Sequence, residues 1–151
     1  MCDADAVIVG KVKKAKAKLT ENKKAIYTEY EIELQEILGD DKDFPFQNKT
    51  RIKVGRFGGY LKINGRKILE KYKAFAPLKV NENYLLFLNS LPEKGAYVAT
   101  YSEGSLWIKD NNTVEKLTEG ELPEPLKVRL KLANELLGFV KSRVQQSCIN
   151  K

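Results

Sequence analysis

Histidine is absent from this chain, cysteine occurs twice, and methionine and tryptophan occur once each. Without histidine there is no His-liganded zinc, no Ser-His-Asp or Cys-His nucleophile and no histidine pH switch. Two cysteines are too few for a four-thiolate zinc site. No nucleophile–base pair or metal cluster can be assembled from the residues present, so the expectation is a non-catalytic protein with no cofactor and no metal. No apolar run approaches the ~20 residues of a membrane-spanning helix. The opening Met1-Cys2-Asp3-Ala4-Asp5 has neither the basic start nor the apolar stretch of a leader. Two readings follow: a cytosolic protein, or a start placed after a removed leader. The cysteines, Cys2 and Cys148, lie at the two ends. They are either two free thiols in a reducing compartment or one bridge spanning nearly the whole chain.

What is present is an ordinary globular composition: 151 residues, 42% hydrophobic and 31% charged, enough for one domain over 1–151 with a real core. The net charge of +7 is unevenly spread. Glu29, Glu31, Glu33, Glu36, Asp40, Asp41 and Asp43 make 25–48 acidic. Lys11 to Lys18 before it and Arg51 to Lys73 after it are basic. Rows of opposite charge facing each other across a sheet explain such a balance, and so does a surface for nucleic acid, acidic polysaccharide or another anionic surface.

The hydrophobic pattern is mostly of period two. In 6–19 the apolar parity holds at Ile8 and Val12 and then switches to Ala15, Ala17 and Leu19, which implies a bulge or bend between Val12 and Ala15. Thr20–Lys24 reads as a hairpin loop. The next strand alternates cleanly, with Ile26, Thr28, Tyr30, Ile32 and Leu34 to the core and the glutamates to water. Ile52 and Val54 face inward in a third strand, which glycines 55, 58 and 59 interrupt. Asn64-Gly65 marks a type I′ hairpin between 60–63 and 66–69. Tyr84-Leu85-Leu86-Phe87-Leu88 reads as a strand buried on both faces. Shorter strands follow at 96–101, 106–108 and 114–117. From Pro125 onward Leu126, Leu130, Ala133, Leu137, Val140 and Val144 form one helical stripe. The sum is a mainly β chain: a closed Greek-key barrel of the oligonucleotide/oligosaccharide-binding (OB) type over about 6–117, with an amphipathic helix packed on it over about 125–146.

Three segments carry a family resemblance. Cys2-Asp3-Ala4-Asp5-Ala6-Val7-Ile8-Val9-Gly10-Lys11-Val12 resembles the first strand of tissue inhibitors of metalloproteinases (TIMPs) and netrin-like domains. Ile26 to Leu38, centred on Tyr30-Glu31-Ile32, resembles the second strand. The tail ending Val144-Gln145-Gln146-Ser147-Cys148 resembles the helix that closes the inhibitory domain. The resemblance implies a secreted binding module, a Cys2–Cys148 disulfide, and a protein partner, with proteases among the candidates. TIMPs begin with a Cys-x-Cys segment that chelates the protease zinc. This chain starts just before the first-strand cysteine and has no other cysteines to tie such a segment down, so the resemblance implies the barrel without that edge.

The residues also allow an OB protein that binds nucleic acid or acidic polysaccharide. Arg56, Tyr60, Lys62, Arg66, Lys67 and Tyr72 interleave cations and aromatics around the Asn64-Gly65 turn and form the candidate face. The glycine-rich turn at 55–59, or an exposed strand edge, is the candidate contact for a protein partner. Asn48 and Asn111 head N-glycosylation patterns that matter only in a secreted eukaryotic protein. A disulfide closing a loop this long contributes about 4–5 kcal/mol in the chain-entropy picture. The native protein is expected to be two hydrogens lighter by intact mass before reduction than after it; two thiols titratable in the native state would exclude the bridge.

Overall fold

The computed structural model describes residues 4–39, 46, 49–70, 77–91, 93, 95–99, 105–108 and 114–116. Two long strands open the chain, β1 at Ala6–Leu19 and β2 at Ile26–Gly39. They pair antiparallel around a polar turn in which Thr20 N–H donates to Ala25 O at 2.8 Å and Lys23 takes φ 56°. In β2 the alternation is as expected, with Ile26, Thr28, Tyr30 and Ile32 buried between half-exposed neighbours.

The register of β1 on β2 slips between Val12 and Lys14, where the apolar parity of the sequence changes. The bulge divides β1 into two working parts. Val7–Lys11 pair with β2 on one edge and with β6 (Asn83–Leu91) on the other, while Lys14–Leu19 pair with β2 alone. Val12 sits at the division. Its N–H donates to Glu82 O at 3.0 Å and its carbonyl accepts from Asn81 N–H at 2.7 Å.

The remaining strands are β3 (Arg51–Phe57), β4 (Gly59–Ile63), β5 (Arg66–Glu70), β7 (Ala96–Ala99), β8 (Ser105–Ile108) and β9 (Val114–Lys116). β2 pairs antiparallel with β3, β3 pairs parallel with β7, β7 pairs antiparallel with β6, and β6 returns to β1. These five ladders form a closed cycle. The second edge of β6 is shared: Leu88–Leu91 pair with β7 and Asn83–Leu86 with β8, which carries β9 beyond it. β4 and β5 form a separate two-stranded hairpin.

The inward parity of each strand builds one core. Ala6, Ile8 and Val12 of β1 meet Tyr30 and Ile32 of β2, Ile52 and Val54 of β3, Tyr84, Leu86 and Leu88 of β6, and Tyr97 of β7. Phe46 and Leu78 join from outside the strands, the Phe46 ring tilted against Tyr97 with centroids 5.0 Å apart. Each fully buried aliphatic or aromatic side chain contributes about 1.5–3 kcal/mol. The opposite parity is also buried where β1 meets β6: Val7 lies beside Phe87 and Val9 beside Leu85, all four buried. This is why the 84–88 run is continuously apolar.

The described residues contain no helix, and so none long and apolar enough to cross a membrane. The expected helix over 125–146 lies outside them, as do Cys2, Cys148, Tyr72, Asn48 and Asn111. One expectation needs correction. Gly55 does not interrupt β3, which continues to Phe57. Its hydrogen side chain leaves room for the Tyr27 ring, which any Cβ there would strike and which meets Phe57 edge-on at 5.6 Å.

The real break is at Gly58 and Gly59, with φ of 90° and 128°. There Thr28 Oγ1 donates to Gly58 O at 2.6 Å and Gly58 N–H donates to Ile26 O at 2.7 Å, so the chain turns into β4 pinned to β2. A Cβ at Gly59 would collide with Thr28 Oγ1 as well as strain the backbone. Gly59→Ala is expected to cost about 2–4 kcal/mol by urea unfolding, the sum of a strained φ and a disturbed hydrogen bond. Gly65→Ala, at φ 79° with open space around it, is expected to cost only about 1 kcal/mol. Equal losses would remove the collision from the account.

Candidate functional site

The outward faces of β1, β2 and β3 carry three rows of charge. Glu29, Glu31 and Glu33 of β2 stand opposite Lys16, Lys14 and Lys11 of β1, and Glu31 and Glu33 also stand opposite Lys53 and Arg51 of β3. Arg51 Nη1 bonds Glu31 Oε1 at 2.6 Å, Lys53 Nζ lies 3.6 Å from Glu29, and Lys13 Nζ lies 3.9 Å from Glu33. Such half-exposed pairs contribute only about 0–1 kcal/mol each. Their larger effect is on the surface field, because an acidic row between two basic ones cancels much of both. The charge imbalance in the sequence is thus largely a sheet pairing its own rows. A cavity of ≈ 380 Å³ at the start of β3, lined by Lys49, Arg51, Lys53 and Glu31 over Ile52 and Tyr97, belongs to this neutralised region.

The β4–β5 hairpin differs. Its turn is the expected one, with Asn64 at φ 48° and Gly65 at φ 79°. The two-residue turn sets the register, placing Lys62 opposite Lys67 and Tyr60 opposite Leu69. Residues opposite each other share a face. Tyr60, Lys62, Lys67 and Leu69 therefore occupy one face, while Leu61, Ile63, Arg66 and Ile68 occupy the other. Tyr60 is 64% exposed, Ile68 and Leu69 are each 42% exposed, and Lys62, Arg66 and Lys67 are exposed without an ion pair among the described residues. Two lysines directly opposite repel, and β2's glutamates are engaged elsewhere. The root of the hairpin is held to the body, where Glu70 Oε2 accepts Ile26 N–H at 2.6 Å.

Of the residues expected on a binding face, the fold brings Tyr60, Lys62 and Lys67 together and sets Arg66 on the reverse side. Arg56 is a correction: it is 4% exposed and does not belong to any outer face. It shares the parity of Ile52 and Val54, and that parity turns it inward. It lies near Tyr30 and Tyr84, whose hydroxyls accept N–H groups of Leu78 at 3.2 Å and Lys79 at 2.8 Å. Burial pulls the Arg56 guanidinium down to about 10, an effect opposed by the two neighbouring phenols. Burial also pushes both phenols up, against the N–H bonds and the Arg56 charge. The parity of 52, 54 and 56 was a signal in the sequence that outranks the residue type. The apolar members of the hairpin, Ile68 and Leu69, were missed as site residues, although the Asn64-Gly65 turn already dictates which residues they oppose.

No family model matches this chain, and no curated protein matches it in sequence.

The buried phenols and Arg56 act oppositely on alkaline stability. Tyr30 and Tyr84 hold their protons more tightly folded than unfolded, so their contribution is intact below pH 10 and is lost as pH rises through their raised values. Arg56 binds its proton less tightly when folded, so from about 10 up to the ordinary guanidinium range its contribution rises with pH. In a phenolate absorbance titration, the tyrosines are expected to ionise in more than one step, with a later step at higher pH than that of an exposed phenol. A single transition centred near pH 10 for all the phenols, with the fold intact, would contradict this.

Proposed function

We propose that this chain is a non-catalytic, extracytoplasmic binding module whose β4–β5 hairpin meets a partner carrying negative charge. Its scaffold is a closed Greek-key barrel of the OB type, TIMP-like in its Cys2–Cys148 bridge. The cycle of five ladders with a parallel β3–β7 pairing supports the barrel, since a five-stranded Greek key closes in this way. The burial of Val7, Val9, Leu85 and Phe87 on the outer side supports a helix over 125–146 packed against that side.

The observation that carries the functional reading is the like-charged pair Lys62–Lys67 beside exposed Tyr60 and Leu69. Elsewhere on the described sheet, rows of opposite charge answer each other. On the hairpin the cations have no such answer within the described protein, and a partner's anionic groups supply it. Tyr60 adds a broad apolar surface with a polar tip, a combination common at interfaces.

The test uses three labelled probes at low ionic strength: a poly-glutamate peptide, a heparin fragment and a thymidine oligonucleotide. Wild-type protein is expected to bind at least one of them, and the binding is expected to weaken as salt rises. Lys62→Gln/Lys67→Gln is expected to weaken it by about tenfold. Lys14→Gln/Lys16→Gln removes the same charge from the answered row of β1 and is expected to change little. Equal losses in the two variants would reduce the hairpin to part of a diffuse positive field, and no binding of any probe would overturn the reading.

A further inference from the structure

β5 is an unfinished edge. It pairs with β4 on one side, β4 in turn lies against β1 and β2, and no further strand is paired with β5 among the described residues. A two-stranded hairpin is marginal by itself, and its open edge is a template for a third strand. Arg66, Lys67, Ile68 and Leu69 are exposed in succession, so both faces of this edge are uncovered. A rigid partner laid on the hairpin covers one face only. A strand added alongside β5 places its own side chains on both faces alternately, and so covers all four residues.

Resting on the hairpin reading above, we propose that β5 binds an extended acidic peptide segment of a protein partner by strand addition, and that the order of residues along β5 dictates the order in the peptide. In an antiparallel pairing the peptide meets Leu69 first, then Ile68, Lys67 and Arg66. Apolar residues complement the first two and carboxylates the last two. The recognised segment therefore reads apolar-apolar-acidic-acidic from its N-terminus. The cations serve a second purpose: another copy of β5 in the same antiparallel position would set Arg66 against Leu69 and Lys67 against Ile68, charge against apolar side chain, so the edge favours an acidic strand over itself. The backbone fits the same geometry. Ile63 and Arg66 flank the two-residue turn and bond each other, so the N–H and C=O groups of Lys67 and Leu69 point away from β4, toward the incoming strand.

The experiment uses the full chain and a labelled ten-residue peptide containing Val-Ile-Glu-Asp. Its control has the same composition with the order Val-Glu-Ile-Asp, which sets a carboxylate against Ile68 and an apolar residue against Lys67. The first peptide is expected to bind about tenfold more tightly. N-methylation of single peptide amides then separates strand addition from side-chain docking. Methyl groups on one parity are expected to weaken binding about fivefold each, and those on the other parity to be silent. Arg66→Glu/Lys67→Glu is expected to lose the acidic peptide and to gain one containing Val-Ile-Lys-Lys. Equal affinity for the two orders, or methylation effects without parity, overturns strand addition. If Lys62→Gln/Lys67→Gln still weakens polyanion binding in that case, the hairpin remains the binding surface and only its mode of recognition is wrong.

Discussion

A β-strand has two edges, and the architecture depends on β1 using both of them and then giving one up. Its first half is hydrogen-bonded between β2 and β6, which brings the beginning and the later part of the chain into one cycle. A straight strand of this length would either carry β6 along its whole edge or leave a long ladder unsatisfied. The bulge after Val12 resolves this by bending β1, while the 81–82 turn takes both hydrogen-bonding groups of Val12. Everything inward follows: Ile8 and Val12 reach Tyr30, Leu86 and Ile52 because the cycle closes around them.

Charge is partitioned by the same pairing. Once β2 lies between β1 and β3, its glutamates are committed to the rows beside them, and the chain's excess of positive charge stands out where β2 does not reach. The hairpin occupies such a place, projecting from Gly58 and Gly59 while anchored through Thr28 and Glu70. A rigid root and an uncommitted tip are a sound arrangement for recognition, since affinity is not lost to ordering the site.

Much of this was legible in the sequence where local rules and the fold agree. The parity of β2, the slip after Val12, the Asn64-Gly65 turn and the two-sided burial of 84–88 each depend on a few neighbouring residues. Two readings went astray for physical reasons. Gly55 looked like a break because its neighbours in sequence do not include the Tyr27 ring that fills its place. Arg56 looked like surface because charge normally stays in water, yet its strand parity carries it inward beside two phenols. The cycle itself was an expectation from the strand pattern as a whole, because no single stretch encodes the meeting of β3 with β7. The candidate hairpin face was half legible: Tyr60, Lys62, Arg66 and Lys67 stood out around the Asn64-Gly65 turn, but Ile68 and Leu69 did not, and the division between two faces required the register.

That meeting of β3 with β7 is short. Among the described residues Val54–Tyr97 and Gly55–Val98 pair, in parallel, between segments far apart along the chain. Antiparallel neighbours such as β1 and β2 can zip from a turn, but this parallel closure has no turn to start from. The chain must first bring β6 beside β1 and fold β7 back on β6, and the entropic cost of that long loop falls on a two-pair ladder. Contact topology alone therefore places this closure late in folding and early in opening. The amides at this seam should exchange with solvent before those of the β1–β2 hairpin, a difference that native-state hydrogen exchange measures directly.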